Sequence, residues 1–149
     1  MSSSQDKNIL KKIFTYAIQI KKPIRSVIHF AGLKSVNESF NEPLEYWDIN
    51  INGVISLIKI MKIYKCKTIV FSSSASVYAC DSQEILDEDS PINPISPYGK
   101  TKHITETILN DLIVSSSGWR IANLRYFNPI GAHKLGILGE KPLYNNSNI

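Results

Sequence analysis

Cysteine is scarce in this 149-residue chain, which holds only Cys66 and Cys80. Two unpatterned cysteines cannot knit a disulfide scaffold, and no His or Cys stands at ligand spacing to complete a zinc site. Long apolar runs are missing too, since no stretch approaches the roughly eighteen residues that a membrane-spanning helix needs. The opening Met-Ser-Ser-Ser-Gln-Asp has no apolar core of a secretory signal. These absences predict a cytoplasmic chain with no metal and no membrane contact. At 149 residues there is also no room for a second domain of ordinary size.

What is present is a globular composition. Hydrophobic residues make up 43% and charged residues 20%, with seven Gly and seven Pro, which suits a buried core and excludes disordered, fibrous and low-complexity classes. The net charge of +4 is local. Lys7, Lys11, Lys12, Lys21, Lys22 and Arg25 face Asp6 alone in the first 25 positions, and the remainder carries 11 basic and 12 acidic residues. No aromatic pattern interleaves these lysines, so they read as a solvated helix face and not as a nucleic-acid contact.

Ile9, Leu10, Ile13, Phe14, Ala17 and Ile18 fall at helical spacing and predict an amphipathic helix from an N-cap at Asn8 to Lys22, with Pro23 beyond its end. Ser26 to Phe30 is a short β-rich run ending in Ala31-Gly32, which predicts a buried strand. Pro43 then opens a long helix to about Tyr64, with Leu44, Trp47, Ile51, Val54, Ile55 and Ile58 on its apolar side. Thr68 to Phe71 reads as a second strand and the acidic, Pro-rich Asp81 to Pro97 as a surface loop. Tyr98 to about Val114 reads as helix and Ile121 to Tyr126 as a third strand, while residues 1–7 and 140–149 are expected to fray. Helices alternating with short strands specify an α/β fold, an open doubly wound parallel sheet with crossover helices. Ligands of such sheets gather at the carboxyl ends of the strands. That directs attention to Ala31-Gly32-Leu33-Lys34, Ser72-Ser73-Ser74-Ala75 and Phe127-Asn128-Pro129.

The strongest local signal is Tyr98-Gly99-Lys100-Thr101-Lys102 at a helix start. Residues four apart share a helix face, so the Lys102 ammonium is expected beside the Tyr98 phenol. A phenol with a pKa near 10 is a poor base at neutral pH, and an adjacent cation lowers that value. A hydroxyl from the serines following the strand at Phe71 would complete the proton path. Each feature also has an ordinary use, Tyr98 and Lys102 as a packed ring and a solvated charge, and the serines as a polar turn. His29, alone among apolar neighbours, reads as a packed strand residue and not as an acid or ligand.

Four segments together are more specific. Val27 to Lys34, Phe71 to Tyr78, Ser96 to Lys102 and Arg125 to His133, in that order, resemble the UDP-glucose 4-epimerase family of extended short-chain dehydrogenases/reductases. The resemblance spans about residues 26 to 133. It implies a truncated NAD-binding Rossmann fold, an incomplete epimerase/dehydratase domain over residues 1–149. It also implies NAD-dependent inversion at C4 of UDP-glucose or UDP-galactose through a 4-keto sugar, in galactose metabolism. Tyr98 would be the base on the sugar 4-hydroxyl, Lys102 its tuning residue and the holder of the nicotinamide ribose, and Ser74 the hydroxyl on the sugar oxygen. Phe30, Ala31, Gly32, Leu33, Lys34 and Phe127 would line the cofactor, and Ser74, Tyr98 and Asn128 the UDP-sugar. Ser73, Ser74 and Ala75 stand where dehydrating relatives place acidic residues, which argues against a dehydratase. Two departures weaken the cofactor match: Ile49 replaces a common asparagine, although Asn50 and Asn52 are close by, and Ala79-Cys80 replaces a common Gly-Asp. His133 has no assigned role.

A Rossmann fold receives pyrophosphate on a Gly-rich turn and helix N-terminus, and no G-x-G-x-x-G occurs in this sequence. The resemblance places the first predicted helix before the fourth strand of a complete member, so the chain is expected to be an incomplete copy with little activity alone. Other readings stay open: an epimerase of another UDP-sugar, a pentose or uronic acid, or a non-catalytic module that pairs with a complementary chain or as a homodimer.

Overall fold

Parallel strands can be joined only by long crossovers, and each crossover between the described strands carries a helix. The computed structural model describes residues 3–78, 85–131 and 133–137. Helix α1 (Ser3–Gln19) leads to β1 (Val27–His29). Helices α2 (Val36–Asn41) and α3 (Pro43–Trp47), a wide π-helical turn (Asp48–Asn52) and α4 (Gly53–Ile63) then connect to β2 (Thr68–Ser74). A 3-10 turn (Ala75–Val77) leaves β2, and α5 (Pro97–Ser115) precedes β3 (Arg120–Tyr126). The sheet order is β1-β2-β3 and all pairs are parallel, with Ile28 opposite Val70 and Val70 opposite Ala122.

Right-handed crossovers that step the same way across a sheet lay their helices on one face. Ile69 and Phe71 of β2 accordingly enter a core with Val54, Leu57, Ile58 and Met61 of α4, Leu109 of α5 and Phe14 of α1. The alternate residues point the other way. Ile28 is 64% exposed, and Leu124 and Tyr126 are also open. The described residues thus form one winding of a doubly wound sheet, covered on a single face. None of their helices is long and apolar enough to cross a membrane.

Several boundaries move. Helix α1 begins five residues before Asn8, which is interior and not an N-cap. It ends before Lys22 because Lys21 turns left-handed, with φ 57°, and the Lys22 amide donates back to the Ala17 carbonyl at 2.9 Å. Phe14 and Ala17 are buried, but Ile9, Ile13 and Ile18 of the same stripe are exposed, as are Lys11 and Lys12. Helix α2 was not anticipated, although Ser35 caps it through a 3.3 Å bond from the Glu38 amide and Ser-x-x-Glu is a capping signal. The helix expected from Pro43 carries the π-helical turn, whose extra residue shifts the helical phase. Tyr46, Asn50 and Val54 therefore point inward, while Leu44 is 82% exposed. Strand β1 is shorter than Ser26 to Phe30. Strand β2 runs three residues past Phe71, so Ser72, Ser73 and Ser74 are its last paired residues, opposite Leu124, Arg125 and Tyr126, and not a turn after it. Residues 1–2, 79–84, Ala132 and 138–149 lie outside the described set. With them go the Ala79-Cys80 departure and the expected fraying at 140–149.

Candidate functional site

Helix α5 begins where it does because Ser96 accepts a 3.0 Å bond from the Gly99 amide and Pro97 occupies the first turn. Its first turn is pressed against the chain leaving β2. A Cβ on Gly99 would lie 2.3 Å from the Ser76 carbonyl oxygen and 3.1 Å from Pro94 Cβ, so only glycine fits. Gly99→Ala is expected to cost about 1–3 kcal/mol, read as a lowered urea midpoint with an unchanged slope.

The buried face of α5 presents Tyr98, Thr101, Lys102, Thr105, Glu106 and Leu109 at helical spacing. Tyr98 and Lys102 are only 8% and 7% exposed. The Lys102 Nζ donates to the Ser72 carbonyl at 2.8 Å and lies 5.0 Å from the Phe71 ring centre and 5.6 Å from that of Tyr98. Burial brings its pKa down to about 8. Burial pushes the Tyr98 phenol up, opposed by hydrogen bonding with the Ser74 side chain and by the positive charge of Lys34. The Lys102 ammonium thus lies beside the Tyr98 ring, as the spacing predicts, and Lys34 is a second cation that favours the phenolate. The Tyr98 ring is held edge-on by Tyr46, with centres 6.5 Å apart, and Tyr46 donates to Glu38 Oε2 at 2.8 Å.

At the carboxyl end of β1, the His29 ring packs on Phe71 at 5.9 Å. Burial first, and the Lys102 charge second, bring its pKa down to about 4. It is a packed strand residue, as expected. The unfolded His29 binds a proton near pH 6.5 and the folded one only near pH 4, so its share of stability is present above 6.5 and is lost as pH falls through about 4. His29→Phe is therefore expected to flatten the acid limb of the stability curve between pH 6.5 and 4, by at most about 3 kcal/mol.

Phe30 is 64% exposed and its ring lies 6.4 Å from that of Tyr126, above the end of β2. Ala31, Gly32, Leu33 and Lys34 follow it. Asn50 pins this segment. Its Oδ1 accepts from the Leu33 amide at 2.8 Å, and its Nδ2 donates to the Leu33 carbonyl and to Thr101 Oγ1, each at 3.1 Å. Gly32, with φ +143°, is required there, since a Cβ would meet Asn50 Oδ1 at 2.8 Å. Phe127 and Asn128 follow β3 as exposed residues at the same end of the sheet, and Ile49 is also exposed. His133 is exposed and its Nδ1 accepts from the Leu135 amide at 3.3 Å.

A second cluster, not anticipated from the sequence, lies further along the same face of α5. Glu106 Oε1 accepts from Ser73 Oγ at 2.5 Å and from Arg125 Nε at 3.1 Å, and its Oε2 pairs with Arg125 at 2.9 Å. The signal available was Glu106 eight positions after Tyr98, two turns along the same face. Among the described residues no group of acidic, His and Cys side chains could hold a metal.

Residues 10–141 match the model of the NAD dependent epimerase/dehydratase family. The chain is 45% identical over 138 residues to UDP-glucose 4-epimerase 2 of Oryza sativa subsp. japonica, covering 93% of this chain and 33% of that protein. It is 53% identical over 124 residues to the bifunctional protein gal10 of Schizosaccharomyces pombe, covering 80% of this chain and 17% of that protein. Among solved structures, UDP-glucose-4-epimerase from Stenotrophomonas maltophila, with bound NAD and formylated UDP-arabinopyranose, superimposes with a TM-score of 0.83 at 39% identity, over 92% of this chain and 39% of that one. The chain therefore spans well under half the length of the proteins it matches.

Proposed function

The chain belongs to the NAD dependent epimerase/dehydratase family, and from that premise we propose that it carries the proton-transfer centre of a UDP-sugar 4-epimerase, with UDP-glucose and UDP-galactose as the interconverted pair. What supports this most is the meeting of the buried Tyr98 ring, the Lys102 ammonium 5.6 Å from its centre and the Ser74 side chain at the carboxyl end of β2. Tyr98 takes the proton of the sugar 4-hydroxyl and later returns it, while Ser74 hydrogen-bonds the same oxygen. Bound NAD supplies hydride exchange at sugar C4. The residues fit its nicotinamide end: an ammonium has three donors and the Ser72 carbonyl takes one from Lys102, leaving two for ribose hydroxyls. In this reading Phe30, Ala31, Gly32, Leu33, Lys34 and Phe127 line the cofactor and Asn128 the UDP-sugar.

A pentose in place of the hexose is favoured by the sugar nucleotide in the Stenotrophomonas structure. Pairing with a second copy or a complementary chain is favoured by the bare sheet face around Ile28 and Leu124. The activity is tested by incubating the chain with UDP-galactose and saturating NAD and following the sugar anomeric protons by NMR. Slow conversion to UDP-glucose is expected. No conversion over days would overturn the claim that this polypeptide carries the activity.

A further inference from the structure

The Glu106 carboxylate is 3% exposed and takes no part in the proton path proposed above. A buried ion pair is weak support for stability, since apolar replacements are often as stable, and its best-attested use is to fix one arrangement among several. The surroundings of this pair show which arrangement. Ser73 and Arg125 are register neighbours across β2 and β3, and Glu106 receives both. The remaining Arg125 nitrogen, Nη1, donates to the Tyr78 hydroxyl at 3.0 Å and the Glu88 carbonyl at 3.1 Å, so the same guanidinium ties down the chain that leaves β2. Three turns of α5 thereby meet the three serines that close β2: Lys102 reaches the Ser72 carbonyl, Glu106 the Ser73 hydroxyl, and Tyr98 the side chain of Ser74, which Ser76 also holds at 3.1 Å.

We infer that Glu106 is a positioning residue, whose carboxylate bolts the end of β2 to α5 through Ser73 and Arg125 and so sets the Ser74 hydroxyl against the Tyr98 phenol. This deepens the function proposed above and rests on it for its purpose, but its test needs neither sugar nor cofactor.

The probe is the Tyr98 phenol itself, titrated by NMR of ring-carbon-labelled tyrosine and assigned by its loss in Tyr98→Phe. The groups that face it are Ser74, Tyr46, Lys34 and Lys102. Wild type, Ser74→Ala, Glu106→Gln and the double variant form a cycle. Ser74→Ala is expected to raise the Tyr98 pKa by about half a unit in the wild-type background, because a donor to the phenolate is lost. In the Glu106→Gln background the rise is expected to shrink to less than half of that. An equal rise in both backgrounds, or none in wild type, would overturn the inference. If Glu106→Gln does not give a folded circular-dichroism spectrum, Ser73→Ala replaces it, since it cuts the strand link and leaves the ion pair, and the same two outcomes decide. Absence of epimerisation would sink the proposed activity and leave this cycle readable.

Discussion

Tyr98→Phe is expected to reduce UDP-galactose conversion by about a thousandfold, within the range that a positioned general base contributes. The substitution removes one oxygen and keeps the ring, which is nearly buried and held edge-on by Tyr46. The fold should therefore survive, with a urea midpoint close to that of wild type. Burial pushes the phenol pKa up, and Ser74 and Lys34 oppose that rise, with the Lys102 ammonium 5.6 Å from the ring centre. Retained turnover in a folded Tyr98→Phe protein would remove Tyr98 from the mechanism and with it the proposed proton path.

The second large effect is a weak association. The 149-residue polypeptide is expected to bind NAD with a Kd of about 1 mM or weaker, roughly 4 kcal/mol or less. Its residues fit the nicotinamide end of the cofactor, but pyrophosphate needs backbone amides at a glycine-opened helix N-terminus, and the sequence holds no G-x-G-x-x-G. The N-terminus of α5 is no substitute, because Ser96 occupies the Gly99 amide and the first turn is packed on Ser76. Calorimetric titration decides the matter, and a micromolar Kd would show that the chain builds an anion site from other residues.

The strands and long helices were legible in the sequence because each carries its period openly. Thr68 to Phe71 and Ile121 to Tyr126 are short runs rich in β-forming residues, and Ser96-Pro97 announces a helix start. The phase of the helix after Pro43 was not legible. One extra residue in the Asp48–Asn52 turn redirects every side chain upstream, and no composition signal marks a π-helical turn. At the site, Tyr98, Lys102 and Ser74 were found from spacing and resemblance. Their electrostatics were not. Spacing of four finds the Lys102 cation, but not Lys34, whose charge also acts on the phenol from a loop that only the tertiary fold brings near. The contacts of Asn50, and Glu106 altogether, escaped for the same reason: the partners Leu33, Thr101, Ser73 and Arg125 are 17 to 51 positions away.

The single-sided winding also bears on thermodynamics. Ile28, Phe30, Leu124 and Tyr126 stay in contact with water in the folded chain, so much of the apolar free energy a sheet can supply is still unspent. Any surface that covers them engages the native form and not the denatured one. Folding is then linked by mass action to the concentration of that surface, and a melting temperature for this protein has meaning only together with the concentration at which it was measured.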